Sequence, residues 1–168
     1  MKKKKSFLKH YNTFFEKIYR YVFFRAGRNR ELAEDMTSEI FLKAYEAYEN
    51  FDGQKNFGVW IYRIAHNHLI DYYRRAKPEH VPIENVEQEL GVNAGHPQEV
   101  DKNLDLAHLS NVLTVLPESQ RDVVVMKFFN DLSTQEIAEV MNTTEAHVRV
   151  LQHRAIDFLK TRLSFLTP

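Results

Sequence analysis

Between Trp60 and Arg75 the chain interleaves aromatic and basic side chains. Trp60, Tyr62, Tyr72 and Tyr73 mix with Arg63, Arg74 and Arg75, and Asn67 adds an amide. Rings stack on unpaired bases and guanidinium groups meet phosphates, so the mixture suits single-stranded nucleic acid. A plainer reading puts Trp60 and Tyr72 in a core and lets Arg74 and Arg75 end a helix, where cations are favoured. Both hold if the aromatic stripe is mainly buried and the face with Arg63 and Asn67 is open.

A second group lies between Leu132 and Arg149. Ser133 and Glu136 have capping-box spacing, which satisfies two orphan donors at a helix start. Ile137, Ala138 and Met141 follow as an apolar stripe, and small Ala138 lets a neighbouring helix come close. Asn142 tolerates the left-handed conformation that ends a helix. Thr144 is suited to cap a further helix with Val148, Leu151 and Ala155 on its apolar side. This is the pattern of a helix-turn-helix whose second helix enters a major groove. A two-helix corner within an all-α core would show the same pattern.

Other chemistry is not encoded. No phosphate-binding glycine loop, nucleophile elbow or HExxH occurs. His66 and His68, two positions apart, point to different helix faces and make a poor metal pair; they read as partly buried or surface histidines. Glu34 and Asp35 read as helix-start acids, Glu46 and Glu49 as a solvated face. The expectation is a protein that is not an enzyme and uses no cofactor or metal. The 168 residues contain no cysteine, which excludes disulfides and thiolate metal sites.

The elements that must carry these residues are helical. Five glycines and five prolines are few for the length, and strand-like alternation is missing. The spacing predicts a helix from about Phe7 to Arg28, with Leu8, Tyr11, Ile18 and Arg25 on one stripe and a stop at Gly27 and Asn29. A second runs from about Glu31 to Asn50 on Ala33, Met36, Ile40, Phe41, Ala44 and Tyr48. Asn56 caps a third reaching Arg75 on Phe57, Trp60, Ile61, Ile64, Ala65, Leu69 and Tyr72. From Ala76 to Asn103, prolines, glycines and acids break the periodicity for far longer than a loop inside one domain. Helical patterning resumes at Leu104, and Pro117 opens a further helix that Asn130 and Asp131 break. The fold class expected is all-α, with two small helical domains, 1–75 and 104–168, joined by a flexible acidic linker, 76–103. The second domain contains the helix-turn-helix.

Charge separates the same three stretches, although formal net charge is zero. Residues 1–75 hold 15 Lys and Arg against 9 Asp and Glu, residues 76–103 hold 2 against 6, and residues 104–168 hold 6 against 8. Local patches rather than the total set phosphate contacts. Lys2 to Lys5 read as a solvated tail. The run after them is interrupted by Lys9, His10 and Asn12, so an export signal is not expected, and neither is membrane insertion. A cytoplasmic location is the expectation.

The motifs resemble a family. Ala33 to Tyr45, then Trp60 to Asn67, then Asp71 with Arg74 and Arg75, resemble the second conserved region of bacterial RNA polymerase sigma factors. Leu113 to Arg154, with Leu116-Pro117, Arg121, Glu136-Ile137-Ala138 and Val148, resembles their fourth region. Two regions and a short linker are similar to the small extracytoplasmic-function (ECF) group. The resemblance implies a sigma factor that directs RNA polymerase core to promoters and helps melt the −10 element. It implies docking on the clamp helices of the largest subunit through Asp35, Ser38, Glu39 and Leu42, and on the flap of the second-largest subunit. It implies −10 contacts by Phe51, Asp52, Gln54, Lys55, Asn56, Arg63, Asn67 and Arg74, near a pocket for a flipped base. It implies −35 contacts by Thr144, His147, Arg149, Val150, His153 and Arg154, with Arg149 suited to guanine. An anti-sigma factor is a further partner it implies. Leu151 and Gln152 depart from the family pattern: Leu151 fits a helix-turn-helix core, which would rotate the face shown to DNA. The alternative from another class, a helix-turn-helix regulator acting without polymerase, calls for tight duplex binding by the chain alone. The mildly acidic 104–168 stretch argues against that.

Overall fold

A computed structural model describes residues 1–76 and 102–163, and all regular structure among these residues is helical. The greater part of the expected linker lies outside the described residues. Helix α1 spans Lys2–Arg25, α2 spans Arg30–Ala47 and α3 spans Phe57–Ala76. After the undescribed stretch come α4 (Lys102–Val115), α5 (Glu118–Val124), α6 (Thr134–Met141) and α7 (Glu145–Leu163).

Helix α1 starts earlier than its apolar spacing predicts. Lys2 to Lys5 are exposed but helical rather than a loose tail. The start is pinned because the Lys3 ammonium donates to the Glu49 carbonyl (2.9 Å) and Ser6 pairs with the Tyr48 hydroxyl (2.9 Å). Phe7 is buried edge-on against Tyr45 and Tyr48, with ring centroids 5.2 Å apart in each pair. That rotates the stripe by one residue and leaves Leu8, an expected core residue, 57% exposed. Two consecutive left-handed residues, Gly27 (φ 62°) and Arg28 (φ 64°), turn the chain. Asn29 then caps α2 by accepting from the Leu32 amide at 3.1 Å.

The expected stripes of α2 and α3 are largely buried: Ala33, Met36, Ile40 and Ala44 of α2 and Phe57, Ile61, Ala65 and Leu69 of α3 belong to one core cluster. Tyr72 departs from its expected place and is exposed. In the second unit, Pro117 precedes α5 rather than lying inside it. A π-type turn, Val125–Phe129, carries α5 on to Asn130. Buried Arg121 closes the end of α4, its guanidinium donating to the carbonyls of Leu113 (2.8 Å), Thr114 (2.6 Å) and Leu116 (3.1 Å). The Leu113 carbonyl also accepts from the Leu116 amide at 3.2 Å, whereas those of Thr114 and Leu116 would otherwise be orphans of a helix end.

The two units are packed against each other. Buried apolar residues from Phe7 to Leu151 form one continuous cluster, with α3 against α6 and α1 against α5 and the π-type turn. A smaller cluster of Leu113, Leu116, Val124 and Ala155 lies inside the second unit.

Candidate nucleic-acid interface

The first candidate face is built on α3 and the loop before it. Asp52 accepts from the Gln54 amide at 3.0 Å, and the Lys55 amide returns to the Asp52 carbonyl at 2.9 Å, giving a tight turn. Asn56 caps α3 by accepting from the Val59 amide at 3.3 Å. Phe51 is half-buried against Tyr48 and Trp60, with centroids 5.7 and 4.7 Å away. Asp52, Gln54, Lys55 and Asn56 are exposed, as are Arg63, Asn67 and Arg74 along one side of α3.

The aromatic residues of α3 do not act together. Tyr62 is buried and takes a 2.6 Å hydrogen bond from Asn130 Nδ2, while Trp60 sits in the ring cluster of Tyr48, Phe51 and Phe57. Tyr73 is half-buried and donates to the Arg25 carbonyl at 2.9 Å. Tyr72 presents an exposed ring instead of the expected core one. Burial pushes the Tyr62 hydroxyl far above its ordinary range, so it remains a neutral hydrogen-bonding group.

The second candidate face is the helix-turn-helix, and its local chemistry follows the sequence closely. Ser133 Oγ accepts from the Glu136 amide (3.1 Å) and Glu136 accepts from the Ser133 amide (2.7 Å), completing the capping box. Asn142 is left-handed, at φ 52° and ψ 51°. Thr144 Oγ1 accepts from the His147 amide at 3.1 Å and so begins α7. Val148, Leu151 and Ala155 are buried, which assigns Leu151 to the core. Thr144, His147, Arg149, Val150, His153 and Arg154 are all exposed. Arg149 reaches back to Glu145 at 3.1 Å and His153 to Asp157 at 3.2 Å, both surface pairs that a stronger anion can displace.

A third face runs along α2. Asp35, Ser38, Glu39 and Leu42 share one exposed side at helical spacing, with Leu42 59% exposed and Tyr45 following it at 43%.

The structure brings the first two faces together. Arg63 Nη2 donates to the Glu139 carbonyl of α6 at 2.7 Å, and Asn56 Nδ2 donates to Glu136 at 3.3 Å. Arg63 lines a shallow cleft with Gln135, Glu139, Asn142 and Glu145. Asn67 and Arg74 have no part in this contact.

A buried polar cluster behind the contact was not visible in the sequence. Arg25 Nε of α1 lies 2.6 Å from Asp122 Oδ1 of α5, and the same oxygen accepts from the Tyr21 hydroxyl at 2.9 Å. His66 Nδ1 is 3.2 Å from the Tyr21 oxygen and 3.5 Å from Asp122 Oδ2. Burial lowers the His66 pKa, and nearby Arg25 lowers it too, against the pull of Asp122. Burial works most strongly against the Arg25 charge, but Asp122, Tyr21, Glu118 and Tyr73 together outweigh it and raise the Arg25 pKa. Asn130 adds a bond to the Lys17 carbonyl (3.0 Å), and Arg20 donates to the Phe129 carbonyl (3.1 Å). The only signal for any of this was Arg25 falling in register with apolar positions.

His68, read as an ordinary histidine, is 8% exposed between α3 and α2. Among the described residues, no group of His, Asp and Glu is arranged to hold a metal ion, and no helix is long and apolar enough to cross a membrane.

Residues 8–79 match Sigma-70 region 2 and residues 112–161 match Sigma-70, region 4. The chain is 31% identical over 157 residues to the ECF RNA polymerase sigma factor SigW of Bacillus subtilis, covering 88% of this chain and 83% of that one. It is 28% identical over 156 residues to the RNA polymerase sigma factor YlaC of the same organism, covering 92% and 90%. The fold is similar to that of RpoE from Bartonella quintana, solved with the anti-sigma factor NepR. That similarity has a TM-score of 0.76 at 18% identity, over 95% of this chain and 98% of that one. It is also similar to CnrH, solved with the cytosolic domain of CnrY, at a TM-score of 0.74 and 20% identity, over 98% and 91%.

Proposed function

This chain belongs to the ECF RNA polymerase sigma factors and directs RNA polymerase to promoters; from that premise we propose how its surfaces divide the work. Residues 1–75 and 104–168 act as separate domains, with 76–103 as the linker between them. The α2 side with Asp35, Ser38, Glu39 and Leu42 docks on the clamp helices of the polymerase largest subunit, and the second domain docks on the flap of the second-largest. Exposed residues at i, i+3, i+4 and i+7 are what a helix-on-helix contact needs, which supports this reading.

The loop 51–56 together with Arg63, Asn67 and Arg74 captures the melted −10 strand. Unstacking a base costs a few kcal/mol, so the pocket must offer compensating contacts. Exposed Asp52, Gln54 and Lys55 beside the Phe51 ring support that role. Helix α7 reads the −35 duplex with Thr144, His147, Arg149, Val150, His153 and Arg154. Its mildly acidic domain binds there because polymerase holds it in place, and effective concentration substitutes for intrinsic affinity. The chain has no catalytic activity of its own and works in the cytoplasm. An anti-sigma factor is its natural inhibitor, and exposed Leu42 and Val150 suit such a cover.

One observation carries most of this reading: Arg63 and Asn56 are bonded to α6. If these residues read the −10 strand, the described arrangement is closed, and the two domains part when polymerase takes the chain. Transcription with core enzyme on a randomised promoter library tests the scheme, with start sites and enriched −10 and −35 sequences read by sequencing. Failure to bind core, or starts with no enriched elements, overturns it. Tight duplex binding by the chain alone would favour the polymerase-independent regulator.

A further inference from the structure

His68 stands between two opposite charges of α2. Its Nδ1 is 2.8 Å from the Lys43 ammonium, and its Nε2 is 3.0 Å from Glu39 Oε2. An ammonium has only donors, so Nδ1 must accept, and the ring proton sits on Nε2 beside Glu39. The Nε2–H is not in line for a full hydrogen bond, so its attraction to the carboxylate is electrostatic.

Glu39 and Lys43 are four residues apart in the order that pairs directly on a helix surface. The ring blocks that pairing. It takes the lysine on one side and faces the glutamate with the other, so a carboxylate and an ammonium stand apart on the helix that also exposes Leu42. The ring itself is held from α3, with 8% exposure, in a cleft lined also by Asp71, Tyr72 and Arg75. A separated charge pair on a face with an exposed apolar residue fits a partner helix that carries a basic residue opposite Glu39 and an acidic one opposite Lys43.

We infer that His68 is a positioning residue for polymerase docking: it keeps Glu39 and Lys43 apart so that each meets its own partner on the clamp. This rests on the proposed docking role of the α2 face and extends it to α3 and to Lys43. His68 touches no DNA and need not touch polymerase.

The test is affinity of the full chain for core RNA polymerase of the organism that encodes it, measured by competition with a labelled chain. His68→Leu fills the space but offers no polar atom, and it weakens core binding about five-fold. His68→Gln keeps an acceptor and a donor and stays within about two-fold of the natural chain. Glu39→Gln also weakens binding, and its combination with His68→Leu is no worse than the weaker single variant, because both remove one arrangement. Thermal melting reports the fold of each variant. Should His68→Leu not fold, Lys43→Met breaks the same arrangement from its exposed end and is expected to weaken core binding too.

A protonated ring cannot accept from Lys43. Core binding therefore weakens on acidification, and His68→Gln removes that dependence. The charged groups around the ring are Glu39 and Lys43 from α2 and Asp71 and Arg75 on its own helix. Core binding by His68→Leu equal to that of the natural chain, with Glu39→Gln impaired, overturns the inference and leaves the docking face standing. Unchanged binding in Glu39→Gln and Leu42→Ala as well overturns the docking face itself.

Discussion

The Arg63 guanidinium, on the face of α3 that would meet unpaired bases, is spent on the main-chain carbonyl of Glu139 in the helix-turn-helix, 2.7 Å away. A surface that would read one DNA element is thus held by the first helix of the helix-turn-helix that would read another. The Glu139 carbonyl, a neutral acceptor, takes one bond from Arg63, beside one from the Asn142 amide at 3.3 Å, where a phosphate would take a charge-assisted pair, so this contact is exchangeable.

Behind it, Asp122 is the feature most able to keep the units together. Asp122→Asn takes from buried Arg25 its nearest counter-charge and leaves only the longer pair with Glu118 at 3.8 Å; losing one member of a buried pair costs up to about 3–5 kcal/mol. Because the partners lie on different units, separation relieves that cost. The variant is expected to open while both helical units persist. With no natural cysteine, Glu46→Cys and Lys160→Cys give two specific label sites for a distance measurement. An unchanged label distance in Asp122→Asn would show that the pair does not hold the units.

Arg149→Ala is expected to reduce transcription at a promoter selected by the natural chain, by about 1–3 kcal/mol of lost discrimination at one base pair. The competing surface pair with Glu145 contributes little, so Glu145→Gln leaves the same promoter active. Run-off transcription with core enzyme on matched and single-base-changed templates separates the two.

Arg121→Met strips the Thr114 and Leu116 carbonyls at the end of α4 of their donor and leaves Leu113 only its bond from the Leu116 amide. Each buried acceptor left unsatisfied costs about 1–3 kcal/mol. The second unit should melt well below the natural chain, seen as an early phase in thermal unfolding followed by circular dichroism. A single unshifted transition would contradict the capping role.

Asn142 sits at φ 52°, where side chains other than Gly, Asn and Asp are strained. Asn142→Ala should lose about 1 kcal/mol in urea unfolding, and Asn142→Gly almost nothing. Equal stability of the two variants would mean that the turn relaxes to another conformation.

Acid should weaken the folded chain through His66. Burial holds its folded pKa below the ordinary 6.5, so the unfolded chain takes the proton first as pH falls. The contribution is complete above 6.5 and is lost as pH drops from there through the lower folded pKa. Buried His68 shifts in the same direction, again chiefly through burial. Urea midpoints compared near neutrality and at mildly acidic pH should fall less for His66→Gln than for the natural chain. Parallel falls in both would remove His66 as a source.

The helix-turn-helix was legible almost atom by atom, because its determinants are local. Ser133, Glu136, Asn142 and Thr144 each act within a few residues of their own position. The apolar stripes of α2 and α3 were legible through their period. The misplacement of Leu8 and Tyr72 came from rotation of a stripe at a helix end, where one tertiary contact such as Phe7 on Tyr48 decides which side turns inward. The contacts of Arg63 with Glu139, Tyr62 with Asn130 and Arg25 with Asp122 join residues about seventy to a hundred positions apart, and no spacing rule reaches that far. His68 escaped notice because its meaning lies in two residues of a different helix.

Holding Arg63 against Glu139 also changes what the chain meets in a crowded cell. Transcripts and chromosome offer on the order of 10⁶ or more incidental binding sites, and a bare basic face would be titrated by them. A face open in about one molecule in a hundred binds such competitors about a hundred-fold more weakly. Under the docking proposed for the open α2 side, polymerase is spared that competition. On that scheme the closed contact acts as a filter that keeps the chain available to polymerase.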